Sequence, residues 1–137
     1  MIVRQLEHYN IRTADLDATV RFYSDALGMK SGDTPVPQPG AFIYDEQGVP
    51  VVHVAVVDSE EAHQKLDEYY GKKPDASHFG GGAIDHVAFE GDDFAEFRRH
   101  FEETGVPFVE RIVEQMNLKQ LFIHDPNGIT IELNFHE

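Results

Sequence analysis

The sequence predicts an α+β fold built from two βαβββ modules, and three observations lead to it. A strand–helix segment occurs twice, a strand–turn–strand segment occurs twice, and the spacing between the copies is nearly constant. His8 and His86 stand 78 residues apart, as do Asp15 and Asp93, while Asp45 and Asp125, like Gly48 and Gly128, stand 80 apart. Self-similarity at a fixed offset marks a repeated supersecondary unit, and a drift of two residues is what small loop insertions produce.

The elements follow in order. Residues 6–11 read as a strand and Asp15 as a helix N-cap. Over 16–27, Leu16, Val20, Tyr23 and Leu27 recur at helical spacing before Gly28, where a helix would stop. A strand at 42–45, a turn ending at Gly48 and a strand at 49–57 complete module one, residues 1–57. Module two, residues 83–137, repeats the pattern: a strand at 84–89, Asp93 as cap, then Phe94, Phe97 and Phe101 as the helical stripe before Gly105. Strands at 121–125 and 129–135 flank the turn ending at Gly128. Between the modules, residues 58–82 form a linker containing the polar helical stretch SEEAHQKLDEYYGKK and the run Gly80, Gly81, Gly82. Residues 33–40 carry Pro35, Pro37 and Pro39, cannot lie inside a central strand, and are expected as a loop near the mouth of a site. The whole, residues 1–137, is expected to form one domain: two curved mixed sheets with helices on their convex sides, enclosing a cleft.

Eleven Lys and Arg against 25 Asp and Glu give a formal net charge of -14, which repels phosphate backbones and anionic lipid, so neither nucleic acid nor membrane is expected as a partner. The chain has no cysteine, which excludes disulfides, thiolate metal sites and thiol nucleophiles, so any metal must rest on His and carboxylates. No apolar run approaches the ~20 residues that span a bilayer, and the start MIVRQLEH lacks signal-peptide character; a cytoplasmic location is expected.

Strand parity sorts the candidate site residues. Ile129, Ile131, Leu133 and Phe135 share one face, leaving Glu132 on the other. Val52, Val54 and Val56 oppose His53, Val87 and Phe89 oppose His86, and Tyr9 and Ile11 oppose His8. Each candidate thus opposes an apolar stripe, and the fold would aim all four into the cleft. A single strand histidine is usually a core or surface residue, but four such groups at equivalent repeat positions point to a divalent cation; a carboxylate buried among imidazoles is costly unless a cation or hydrogen bonds compensate it. His63, His78, His100 and His136 are expected to be solvent-exposed. His124 shares parity with Phe122 on a strand flanking the cleft.

These residues resemble the vicinal oxygen chelate superfamily, which includes glyoxalase I, extradiol dioxygenases and bleomycin-resistance proteins. The carriers are LEHYNIRTADLDATVRFYSDALGM, IDHVAF and LFIHDPNGITIELNF, and the resemblance covers nearly the entire chain. It implies a small-molecule substrate, a homodimer in which modules sometimes pair between subunits, and one divalent metal: Fe(II) first, with Mn(II), Ni(II) and Zn(II) as the other candidates. The implied ligand positions are His8, His53, His86 and Glu132. In a glyoxalase-like isomerase or lyase His53 would be a fourth ligand, Glu132 would also move the substrate proton, and Arg12 resembles the arginine that meets glutathione. In an extradiol-type dioxygenase His8, His86 and Glu132 form the facial triad and His53 resembles a nonligating acid–base histidine; this branch is slightly preferred. Phe122 stands where that branch carries an active-site tyrosine, and Phe122 and His124 are candidate substrate contacts. A noncatalytic binding module is the remaining class.

Overall fold

The computed structural model describes residues 1–35, 39–74 and 77–137, and the chain divides into two compact units, residues 1–78 and 79–137. In the first, β1 (Tyr9–Thr13), α1 (Leu16–Leu27), β2 (Lys30–Gly32), β3 (Gly40–Tyr44) and β4 (Pro50–Val56) precede α2 (Glu60–Tyr70). In the second, β5 (Val87–Glu90), α3 (Phe94–Thr104), β6 (Val109–Val113), β7 (Leu118–His124) and β8 (Thr130–Phe135) repeat the βαβββ order. Each unit forms one four-stranded sheet, ordered β1-β4-β3-β2 and β5-β8-β7-β6. The first and last strands of each repeat run parallel, and the remaining neighbours are antiparallel.

The two copies share their local chemistry as well as their topology. Asp15 caps α1 by accepting from Ala18 N at 3.0 Å, and Asp93 caps α3 by accepting from Glu96 N at 3.0 Å. In the first turn Asp45 Oδ1 accepts from Gln47 N and Val49 N, both at 2.9 Å. In the second, Asp125 Oδ1 accepts from Asn127 N at 2.9 Å and Ile129 N at 2.8 Å. Gly48 and Gly128 close these turns at φ 78° and 76°, the left-handed region that a Cβ disfavours. The turn sets the register of the following strand, and register decides which face each side chain of β4 and β8 takes.

Helix α1 buries Thr19, Tyr23 and Ala26, whereas Leu16, Val20 and Leu27 of the expected stripe are only half-buried. Polar residues take the inner face because their hydroxyls find partners there. Tyr23 Oη meets Tyr9 Oη at 2.9 Å, and Thr19 Oγ1 meets Thr13 Oγ1 at 3.1 Å. These contacts put Tyr9, Ile11 and Thr13 on the helix side of β1, so Asn10 and Arg12 take the opposite face. In the second unit Phe94 and Phe97 of α3 each lie 5.5 Å from the Phe135 ring, which turns Ile131, Leu133 and Phe135 toward the helix and Glu132 and Asn134 away from it.

The segment expected as a linker is divided between the units. Ser59 caps α2 by accepting from Ala62 N at 3.1 Å, and this helix belongs to the first unit. Phe79 and Gly80 belong to the second, where Gly80 N donates to Asn127 O at 2.7 Å. Of the proline-rich loop, Val36, Pro37 and Gln38 lie outside the described residues, as do Asp75 and Ala76 of the linker, so the expectation of a loop at the site mouth falls partly on residues not described. No helix among the described residues is long and apolar enough to cross a membrane.

Candidate functional site

His8 and His86 each stand one residue ahead of a strand, β1 and β5, where the chain enters its sheet. A sequence-adjacent acid holds each ring. His8 Nδ1 lies 3.0 Å from Glu7 Oε1, and His86 Nδ1 lies 2.8 Å from Asp85 Oδ2. Both acids are exposed, but the geometry in each copy engages Nδ1 and leaves Nε2 as the nitrogen that can meet a cation or substrate. Glu7 and Asp85 share the 78-residue offset of the histidines, a signal present in the sequence but not used.

In the second unit, Glu132 on β8 is 8% exposed. Its Oε2 lies 2.6 Å from His86 Nε2, and its Oε1 accepts from Gln120 Nε2 on β7. Gln120 Nε2 also donates to Asn134 Oδ1 at 3.0 Å. Phe122 is the cross-strand partner of Glu132, and its ring stands edge-on to His86 at 6.4 Å. The hydrogen bond to Asp85, followed by the charge of Glu132, holds His86 above its ordinary pKa against the lowering effect of burial. Both ring nitrogens of His86 thus face a carboxylate, Nδ1 that of Asp85 and Nε2 that of Glu132.

The first unit builds a different arrangement. His53 on β4 lies between two rings: His8 at 3.7 Å between centroids and 8° between planes, and Phe42 of β3 at 4.1 Å and 21°. The rings of His8 and His53 are thus nearly parallel, so their in-plane lone pairs do not converge on one point. Burial, and then the neighbouring His8, push the His53 pKa down, while its hydrogen bond to the backbone of Pro50 works the other way. The balance favours a neutral imidazole, the form that can accept a proton.

Among the described residues, no group of three or more His, Asp or Glu side chains is arranged to hold a metal ion. The structure brings the four expected ligands together as two pairs, His8 with His53 and His86 with Glu132. The second pair fits a cation by its chemistry, since imidazole nitrogen and carboxylate oxygen suit first-row divalent metals. Two ligand atoms each ~2.0–2.2 Å from such an ion stand roughly 2.8–3.6 Å apart, so the 2.6 Å contact between His86 and Glu132 would have to open to admit one.

The remaining candidates separate. Arg12 donates to Asp67 Oδ1 at 2.8 Å and lies 3.3 Å from His63 Nδ1, both on α2. His124 is exposed and lies 3.2 Å from Thr130 Oγ1 at the outer end of β7. His63 is not solvent-exposed as expected: it is half-buried against Arg12 and stacked on His78 at 3.5 Å, because α2 folds onto its own unit. His100 is also half-buried, beside Phe101, whereas His78 and His136 are exposed. Sequence reasoning missed Gln120, Phe42 and Asp67. Parity puts Gln120 with Phe122, and the register of β3 on β4 sets Phe42 opposite His53, but nothing local marks Asp67 as the partner of a residue on β1.

The model of one family matches this chain over residues 5–133: the Glyoxalase/Bleomycin resistance protein/Dioxygenase superfamily. The chain belongs to that superfamily. It is 25% identical over 136 residues to Glyoxylase I 4 of Arabidopsis thaliana, covering 93% of this chain and 68% of the relative. Among solved structures, a protein from the mobile metagenome of V. Pseudocholerae superposes with a TM-score of 0.71 at 20% identity, covering 100% of this chain and 98% of the other. Lactoylglutathione lyase from Agrobacterium tumefaciens superposes with a TM-score of 0.63 at 20% identity, covering 93% and 90%. The last two likenesses concern the fold.

Proposed function

We propose that this protein is a divalent-metal-dependent enzyme acting on a small substrate with two adjacent oxygens, in the manner of an extradiol dioxygenase. His8, His86 and Glu132 would hold the cation, with Fe(II) first and Mn(II), Ni(II) or Zn(II) as the other candidates. The observation that carries the reading is the buried Glu132 carboxylate facing His86 Nε2, with the other imidazole nitrogen held by Asp85. A bound cation would supply Lewis acidity and stabilise charge developing on the substrate oxygens. His53 is then the acid–base group: its ring is stacked rather than converging on a common point, and its depressed pKa keeps it ready to take a hydroxyl proton. Phe122 would line the substrate position beside Glu132, and His124 would stand at the outer end of the same strand face.

A glyoxalase-like isomerase is the second reading, favoured by the names of the Arabidopsis and Agrobacterium relatives. It makes His53 a fourth ligand, Glu132 the group that moves the substrate proton and Arg12 a substrate contact. The engagement of Arg12 with Asp67 and His63 weighs against a glutathione-type anion there. A homodimer in the cytoplasm belongs to the proposal in either case. A mass near 15.5 kDa by light scattering would remove the dimer.

The test is metal analysis of protein purified without chelators, followed by oxygen uptake after anaerobic iron loading. Stoichiometric metal that is lost in Glu132→Ala, with oxygen consumed on a catechol, supports the first reading. Unchanged metal content in Glu132→Ala removes the ligand assignment. Bound metal without oxygen uptake across a catechol panel removes the dioxygenase.

A further inference from the structure

Gln120 is a buried polar residue whose hydrogen bonds are committed in an unusual way. It lies on β7 at 7% exposure, opposite Asn134 and diagonal to Glu132, a separation that a long side chain spans. A carboxylate only accepts hydrogen bonds, so Gln120 must turn its nitrogen toward Glu132. The amide nitrogen then donates both to Glu132 Oε1 and to Asn134 Oδ1, the latter at 3.0 Å. Its own Oε1 is left buried with no hydrogen-bond partner among the described residues. An unpaired buried acceptor is costly, and an apolar side chain of this length would fill the same space without that cost. The contribution of the glutamine therefore lies in its two donors.

Those donors divide the two oxygens of Glu132. Oε1 is held by the amide, and Oε2 is left to His86 Nε2 at 2.6 Å. Asn134 completes the device by fixing the amide from the far side. We infer that Gln120 is a positioning residue that restrains one oxygen of Glu132, so that the carboxylate offers a single oxygen to the place it shares with His86. The inference rests on the proposed role of Glu132 as a ligand, and it makes that ligand single-pronged.

The test compares wild type with Gln120→Met, which keeps the length and removes the donors, and Asn134→Ala, which loosens the amide without altering the core of β7. Two measurements are made on each. In metal-free protein at fixed pH, the nitrogen-15 resonance of His86 Nε2 reports its contact with Glu132. In protein titrated with Co(II), calorimetry and the visible absorption spectrum report affinity and coordination. Gln120→Met should shift the His86 resonance and weaken Co(II) binding about 10- to 100-fold, with an altered spectrum, as loss of an outer-shell partner does. Asn134→Ala should move both readouts less and in the same direction. A His86 resonance unchanged in Gln120→Met overturns the inference, and so does unchanged Co(II) affinity. Failure of wild type to bind Co(II) would remove the ligand reading alone, and the His86 resonance would still decide whether Gln120 positions Glu132. Should Gln120→Met fail to fold, the same resonance in Asn134→Ala decides: a shift supports the clamp, and none overturns it.

Discussion

The two turn glycines offer a controlled comparison, because their backbones match and their surroundings do not. Gly48 and Gly128 have φ of 78° and 76°, so alanine at either position meets the same left-handed penalty of roughly 1–2 kcal/mol. A Cβ on Gly48 would meet nothing within 4 Å, whereas one on Gly128 would lie 2.4 Å from Phe79 Cε1. Phe79 must then leave the turn. It is 70% exposed, so it gives up about a third of a side-chain area of roughly 200 Å², worth at most ~1.5 kcal/mol at ~25 cal/mol per Å². Gly48→Ala should therefore cost about 1–2 kcal/mol and Gly128→Ala about 2–3.5 kcal/mol. With Phe79→Ala in the background, the clash is gone, and the double variant should cost less than the sum of the singles by up to ~1.5 kcal/mol. Urea unfolding followed by far-ultraviolet circular dichroism is the assay. Fluorescence would report only the first unit, which holds all five tyrosines of a chain without tryptophan. Equal costs at the two glycines, or strict additivity of Gly128→Ala with Phe79→Ala, would refute the reasoning.

Other outcomes follow from the sites described. His53→Ala should keep its metal and lose about a hundredfold or more in turnover, the usual effect of a lost acid–base group; metal and activity lost together would favour the four-ligand isomerase. Phe101→Ala removes a ring with 0% exposure on the buried face of α3 and should cost about 3–5 kcal/mol, measured by the same unfolding assay. Acid should loosen α2. The pKa of His63 is lowered by burial and by His78, and that of Asp67 by the hydrogen bond from Arg12. For both groups the folded state binds protons less readily than the unfolded one, so their stabilisation is complete above the ordinary values of about 6.5 and about 3.9 and falls as pH drops through the depressed ones. Hydrogen exchange across residues 60–70 should accelerate on acidification in wild type, and Arg12→Gln should flatten the dependence; a pH-independent rate in wild type would contradict this.

What the sequence disclosed and what it withheld follow from the range of the interactions. Turns, caps and strand parity are local, so the Asp45 and Asp125 turns, the Asp15 and Asp93 caps and the sheet face of Glu132, opposite the apolar stripe, could all be read from short spacings. The inner face of α1 could not, because Thr19 is buried only by virtue of Thr13 on another element. Arg12 is the clearest case. Its partner Asp67 lies 55 residues away on a helix whose docking no periodicity announces.

The two copies share a fold and differ in chemistry. Glu7 with His8 and Asp85 with His86 are the same device at the same offset, so both copies enter their sheet with an imidazole held through Nδ1. The copies diverge at the partner strand. Where β8 places Glu132, restrained by Gln120, β4 places His53 against Phe42, an aromatic surface that stacks a ring but donates no hydrogen bond. A carboxylate gripped at one oxygen presents a fixed negative donor. A neutral imidazole between two rings presents a movable proton acceptor. On the proposed reading, divergence at these positions gives one copy the role of holding charge and the other that of moving a proton, the two roles a chelating acid–base enzyme requires.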